Sequence, residues 1–352
     1  MLGSVIPLRR CEAPEVDTAA GAEAVPPPLA VVVVSYRAAD FILDCVSSLI
    51  ATGYPELKIV VVDNQSGDGI ENVLRGWTLR HGVPFEVRGR RPAALRAPLT
   101  LVHSGDNLGF AGGVNVGLAA ARLDPGCDLF WVLNPDTTVA PGAPFALARR
   151  AVEVGRFAVV GGRVVYTERP DVIQADGGRL HPLFATAVSL NIGRSADMAP
   201  PPERAIDYVN GVSMLVSRAF LEAAGPMPER WFLYYEEIDW QLQRGDLPLA
   251  LAPDAVVYHR AGASIGSAAK HRGAAPLSVY FMCRNLLPFV AKWRPLKLPL
   301  AYALAYYKLV RQWGLSRDNL AAALRGLHHL APPQAVRARL PERIWAQILA
   351  RR

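Results

Sequence analysis

Asn134-Pro135-Asp136 follows five apolar residues, Leu129 to Leu133. The apolar run reads as a buried strand. Proline cannot continue a hydrogen-bond ladder, and it pushes the residue before it into extended geometry. Asp136 is therefore expected at the carboxyl end of a core strand, facing out, where open α/β sheets bind their ligands. A carboxylate there suits a hard divalent cation bridging a diphosphate. An aspartate that merely caps a turn is the plainer alternative.

A second acidic group, Glu236-Glu237-Ile238-Asp239, packs three carboxylates into four positions. On a helix Glu236 and Asp239 share a face and Glu237 points elsewhere. Trp231, Phe232, Tyr234, Tyr235 and Trp240 surround them. Carboxylates in apolar surroundings have raised pKa values and can act as general bases. A solvated acidic helix end is the competing reading. His259 ends an apolar run and is followed by Arg260, Gly262 and Ser264. It could ligate a metal or bind phosphate, or simply be a hydrogen-bonded core histidine. Arg284 sits inside the apolar stretch Tyr280 to Asn285. A buried guanidinium needs an anion, either a protein carboxylate or a substrate phosphate.

These groups need elements to hold them. Leu29 to Ser35 and Leu57 to Val62 read as buried parallel strands joined by a helix over residues 41–50. They end in Ser35-Tyr36 and Asp63-Asn64, which could meet a base or ribose, or only form turns. Leu99 to His103 is a further strand. It leads through Asn107 into Gly109, Gly112, Gly113, Asn115 and Gly117, then an Ala-rich helix. The glycines do not have the dinucleotide spacing. They could open a helix start to an anion, or allow close packing. Arg80, Arg88, Arg90, Arg91 and Arg96 mark residues 76–98 as an exposed loop or small insertion. Later expectations are a helix near 143–153, strands near 157–166 and 212–217, and a helix from Phe232 to Leu242. Leu249 to Tyr258 reads as a strand pair, and the chain is helical from Leu277 onward.

The 352 residues carry a net charge of +7, and half of them are hydrophobic. The composition is that of a folded protein with acidic partners, such as nucleic acid, anionic lipid or phosphorylated substrates. Cys11, Cys45, Cys127 and Cys283 lack metal or redox spacing, which argues against a zinc site or a disulfide framework. Beyond Arg284 the only acids are Asp318 and Glu342. Neither a secretory signal nor a membrane-spanning run is read. The expectation is a cytoplasmic protein able to sit peripherally on the inner face of the plasma membrane.

In this order, V-V-V-S-Y, V-V-D-N-Q-S, N-L-G-F-A-G-G-V-N-V-G, L-N-P-D, N-G-V-S-M-L-V-S-R, W-F-L-Y-Y-E-E-I-D-W, V-V-Y-H-R-A-G-A-S and Y-F-M-C-R-N resemble the family 2 inverting glycosyltransferases. The likeness is to their bacterial rhamnosyltransferase-like branch. It implies an α/β GT-A fold with a mostly parallel central sheet. It implies a transferase domain over 29–270, while the Ala/Pro/Glu-rich residues 1–28 lie outside it and read as a flexible tail. That domain divides into a nucleotide-sugar half, 29–140, and an acceptor half, 141–270. A basic helical region, 271–352, follows. Carried over, Asp63 contacts the nucleobase with Ser35 and Tyr36 nearby. Asn107, Gly113, Asn115 and Asn134 line the donor pocket, and Arg284 meets substrate. Asp136 and His259 hold Mg2+ or Mn2+. The family's acidic pair is usually Glu-Asp, and the base position here is Glu237, so Glu236 or Asp239 could act instead. The implied donor is dTDP-L-rhamnose, then a UDP-sugar. The implied acceptor is a glycan or a polyprenyl-diphosphate-linked sugar, with an anionic membrane surface as a partner and no nucleic acid. The alternatives are a sugar-nucleotide nucleotidyltransferase and a non-catalytic binding protein on the same scaffold. The first is poorly matched by Ser35-Tyr36-Arg37, where a triphosphate-gripping loop belongs.

Overall fold

The computed structural model describes residues 25–181, 186–260, 275–313 and 316–350. Most of the expected tail, Cys11, Gly262, Ser264 and the expected boundary at 270 lie outside the described residues.

The first half winds as its apolar runs predict. β1 (Leu29–Ser35), α1 (Ala39–Ala51), β2 (Leu57–Asp63), α2 (Ile70–His81), β3 (Phe85–Gly89), β4 (Leu99–His103), α3 (Gly109–Ala121) and β5 (Leu129–Leu133) follow in order. Their strands pair in parallel as β3-β4-β2-β1-β5. All of β1 and β5 is buried, which explains their unbroken apolar character. Val31 and Val33 face the core made with α1 and α2, while Ala30, Val32 and Val34 face α3.

The second half adds β6 (Thr137–Val139), α4 (Ala143–Val154), β7 (Val159–Tyr166), β8 (Arg169–Ala175), β9 (Gly178–Leu180) and β10 (Ala187–Ser189). After them come β11 (Ser213–Ser217), α5 (Arg218–Ala224), α6 (Glu236–Gln241) and β12 (Leu249–His259). The sheet continues β5-β11-β7-β12-β6, with β11 antiparallel to both neighbours and β8 folded back on β7. It is a mixed, mostly parallel sheet flanked by helices. The C-terminal helices α7 (Pro276–Trp293), α8 (Leu298–Lys308), α9 (Arg317–Leu327), α10 (Gln334–Arg337) and α11 (Glu342–Ala350) build a core of their own. Phe232 and Leu233 of the main domain plug into that core. Among the described residues no helix is long and apolar enough to cross a membrane.

Three expectations change. Residues 76–98 are not a single insertion: 76–81 complete α2, and β3 is an edge strand of the sheet. Its alternation of Phe85 and Val87 with the paired Glu86 and Arg88 is the charged pattern of a protected edge. The helix expected from Phe232 begins only at Glu236, because Phe232, Tyr234 and Tyr235 adopt φ of 62°, 66° and 74°. The pair of strands expected over Leu249–Tyr258 is one long strand with a bulge between Ala252 and Val256.

Candidate active site

The Asn-Pro-Asp turn ends β5 as expected, but Asp136 does not face out, because β6 begins at the next residue and covers it. β5 ends at Leu133, and Asp136 lies beyond it, buried, at the carboxyl edge of the sheet. His259 is 123 positions downstream and reaches Asp136 through a ladder. β6 pairs antiparallel with the end of β12, with His259 opposite Thr137, and the Arg260 N–H donates to the Asp136 carbonyl at 3.0 Å. His259 Nε2 comes within 3.3 Å of Asp136 Oδ1. Its other ring nitrogen, Nδ1, is 2.9 Å from Gln174 Oε1, an acceptor. His259 therefore bridges the Asp136 carboxylate and the Gln174 side-chain amide.

This pair fits a divalent cation. Cis donors on an octahedral ion with bonds near 2.1 Å stand about 3 Å apart, and a carbonyl acceptor behind the ring orients it for ligation. Among the described residues no cluster of three or more His, Cys, Asp or Glu side chains could hold a metal. Asp136 and His259 are the two described side chains that would hold such an ion.

Beside this corner lies a pocket with about 610 Å³ of empty space, open to solvent. Tyr36, Asn64, Asn107 and Asn134 line it from the strand ends, Phe232 and Leu233 from the aromatic turn, and Leu277 and Leu340 from the C-terminal helices. Of the expected donor-site residues, Tyr36, Asn107 and Asn134 line this pocket. The remaining expected contacts do not line it. The oxygens of Asp63 accept from the Ser66 N–H at 2.8 Å and face His103 Nδ1 at 3.1 Å. The neighbouring Asn64 forms the wall instead, its amide donating to the Gly109 carbonyl at 3.0 Å. Ser35 is fully buried. Gly113 is a packing residue, because a Cβ there would collide with Val34. Asn115 holds the Met227 backbone in a reciprocal pair of hydrogen bonds and reaches Glu229. Gly109 is needed where α3 begins, with φ +77° and the Phe232 carbonyl where a Cβ would go.

The acidic turn reaches this corner through backbone register. β11 pairs with β5, and the Asn134 N–H donates to the Val212 carbonyl at 3.0 Å. Gly211 is the next residue back, and Glu237 packs against it. Three positive-φ residues within four positions, Phe232, Tyr234 and Tyr235, are strained. One amide compensates: Asn285 Nδ2 on α7 lies 3.0, 2.8 and 3.0 Å from the carbonyls of Trp231, Leu233 and Tyr234.

The three carboxylates have separate fates. Asp239, a candidate base from its sequence, is committed to the fold. Lys292 Nζ and Trp293 Nε1 both donate to its Oδ1 at 2.6 Å, while Trp231 Nε1 at 2.8 Å and Arg230 at 3.0 Å donate to Oδ2. A carboxylate so filled has no lone pair to offer an acceptor hydroxyl. Glu236 is almost wholly buried, and Glu237 is partly exposed. Burial pushes the Glu236 carboxyl well above its ordinary 4.5, and the neighbouring Glu237 charge adds to the rise. Burial also raises Glu237, against the pull of the first N–H groups of α6. One oxygen of each, Oε2, has no hydrogen-bond partner.

Arg284 also departs from expectation, since it does not enter this pocket and lines a second one behind the aromatic turn. The roles of Asn64, Phe232, Gln174 and Leu340 were missed. Asn64 stood in a quoted motif, whereas Gln174 and Leu340 carry no local signal.

Residues 30–196 match the family model of Glycosyl transferase family 2. The N-acetylglucosaminyl-diphospho-decaprenol L-rhamnosyltransferase of Mycobacterium tuberculosis is 27% identical over 254 residues, 64% of this chain and 82% of that protein. A mannosyltransferase from Pyrobaculum calidifontis, solved in complex with GDP-Man and Mn2+, superposes with a TM-score of 0.50 at 17% identity. It covers 94% of this chain and 87% of its own. S. aureus TarS 1-349 in complex with UDP-GlcNAc gives a TM-score of 0.52 at 14% identity, covering 92% and 89%. These two structures are alike in fold.

Proposed function

We propose, from the match to the Glycosyl transferase family 2 model and the GT-A fold, that the chain is a family 2 glycosyltransferase that moves L-rhamnose from dTDP-L-rhamnose to a lipid-linked diphospho-sugar with inversion at the anomeric carbon. The observation that carries this is the Asp136–His259 pair, 3.3 Å apart beside an open pocket at the carboxyl edge of the sheet. The name of the Mycobacterium tuberculosis relative supports both sugar and acceptor class.

Tyr36, Asn64, Asn107 and Asn134 receive the nucleotide in the pocket. Asp136 and His259 would hold Mg2+ or Mn2+ against the diphosphate. That ion, when bound, neutralises charge developing on the leaving group. Glu237 is the general base. It is the less buried of the Glu236–Glu237 pair, and its raised pKa matches it better to a hydroxyl proton than an ordinary carboxylate. It takes that proton as the acceptor oxygen attacks from the face opposite the diphosphate, so one displacement inverts the centre. Glu236 keeps its proton, which spares Glu237 a second negative charge beside it. The protein docks on anionic membrane through α8 and its flanks. There Leu296, Leu300, Tyr307 and Val310 are exposed among Arg294, Lys297 and Arg311.

The test is thermal protection by nucleotide-sugars in Mn2+. At a hundredfold excess over its Kd, dTDP-L-rhamnose is expected to raise Tm by about 5 °C, and UDP-GlcNAc or GDP-mannose by less. Protection by GDP-mannose alone would reject the donor.

A further inference from the structure

Behind the aromatic turn lies a second cavity, with about 1090 Å³ of empty space open to solvent. Arg230, Arg284, His328 and His329 line it, together with the apolar surfaces of Trp231 and Leu330, and no carboxylate is among its lining residues. Arg284 is 5% exposed. Its Nη2 donates to the Ile348 carbonyl at 3.1 Å, the Tyr280 phenol is a neighbour, and its Nη1 has no acceptor. Among the described residues no carboxylate pairs with it. A guanidinium buried this way is a standing cost unless an anion joins it. Arg230 spends one nitrogen on Asp239 and is half exposed, so it keeps donors for a ligand.

Two features identify the anion. First, the turn that walls this cavity also walls the donor pocket: Arg230 and Trp231 face one, Phe232 and Leu233 the other. The same turn leads directly into Glu236 and Glu237. Second, His328 Nε2 is 2.8 Å from the Tyr306 hydroxyl, and Tyr306 belongs to an exposed apolar strip with Tyr302 and Tyr307 of α8 and Val310 just beyond it. The cavity therefore joins a cationic wall to an apolar lip, one turn of chain from the base.

We infer that this cavity takes the diphosphate of a lipid-linked acceptor, with the lipid leaving over α8 and the acceptor sugar passing the turn toward Glu237. The inference rests on the acceptor class proposed above. Gly326 shapes the site, because α9 crosses α7 where a Cβ would collide with the Tyr280 carbonyl, and that crossing sets His328 opposite Arg284.

The experiment is titration calorimetry of the whole chain in EDTA with inorganic pyrophosphate and with geranyl diphosphate. Arg284→Met is expected to weaken pyrophosphate binding at least tenfold, and His328→Gln, at an exposed position that does not endanger folding, about threefold. Asp136→Ala is expected to leave it unchanged, and geranyl diphosphate is expected to bind more tightly than pyrophosphate. Binding that survives both Arg284→Met and His328→Gln, or that disappears in Asp136→Ala, overturns the assignment. So does a prenyl chain that adds no affinity, which would mark a free-phosphate site. If pyrophosphate behaves as expected and no rhamnose is transferred, the proposed reaction fails and the anion site stands. Transfer with an acceptor KM unmoved by His328→Gln and Arg284→Met overturns the cavity's role alone.

Discussion

At the Asp136 corner, backbone ladders do the positioning: β5 delivers the aspartate, and the β6–β12 register delivers His259. At the Glu236 turn the positioning comes from side chains of another region. Asn285 holds three carbonyls of a left-handed turn, and Lys292 and Trp293 hold Asp239. The corner is a property of the sheet, so its fold is expected to tolerate loss of the Asp136 side chain. The turn is a property of the contact between sheet and C-terminal helices, so its anchors and the proposed base are expected to depend on one another.

The sharpest break is at the corner. Asp136→Ala is expected to lower the transfer rate about 10³-fold, about 4 kcal/mol of transition-state stabilisation. Its melting temperature should move by no more than about 3 °C, because the strand and its ladder remain. A matched fall in stability would show that the corner is as interdependent as the turn. The opposite pattern is expected of Asp239→Ala. Removing the carboxylate leaves two indole N–H groups and two cations without their acceptor. We expect a loss of about 3 kcal/mol in urea unfolding, the low end for a broken buried pair because Arg230 and Lys292 are part-exposed. Unchanged stability would remove Asp239 as the anchor.

This contrast also explains what could be read in the sequence. β1, β4 and β5 were legible to the residue, because a strand buried on both faces must be an apolar run with polar ends. The places of Asp136 and His259 in the chain were legible too, Asp136 just after such a run and His259 as the last residue of β12. The turn was not. The aromatics at 231–235 look helical, but the turn's carbonyls are taken up by Asn285, some fifty positions away. The same distance hid the fate of Asp239, whose partners Lys292 and Trp293 lie on α7. Gly113 and Asn115 were misread because glycine and asparagine near a helix start serve packing and ligand binding alike. Only the position of Val34, or of Met227, separates the two.

Within the turn, Glu237→Gln is expected to slow transfer about 10²-fold with donor KM little changed. A base works when deprotonated. With the Glu237 pKa raised by burial, the rate of the wild type should climb with pH through a limb lying above the ordinary carboxylate value of 4.5. A pH–kcat profile flat from 5 to 8 would move the base elsewhere.

The smallest effect separates Glu236 from its neighbour. A carboxyl whose pKa is higher in the native state than in the unfolded chain binds more protons when folded, over the window between the two values. Native stability therefore falls as pH rises from the ordinary 4.5 through the raised value. Glutamine has no proton to lose. Glu236→Gln should match the wild type below the ordinary value and gain on it as the pH rises toward 8 in urea unfolding. Because it mimics the protonated carboxyl, it should keep transfer within a few fold of wild type while Glu237→Gln does not. A stability difference that does not change with pH would mean that Glu236 does not titrate in this range. A rate loss as large as that of Glu237→Gln would make Glu236 the base and leave Glu237 as the residue that tunes it.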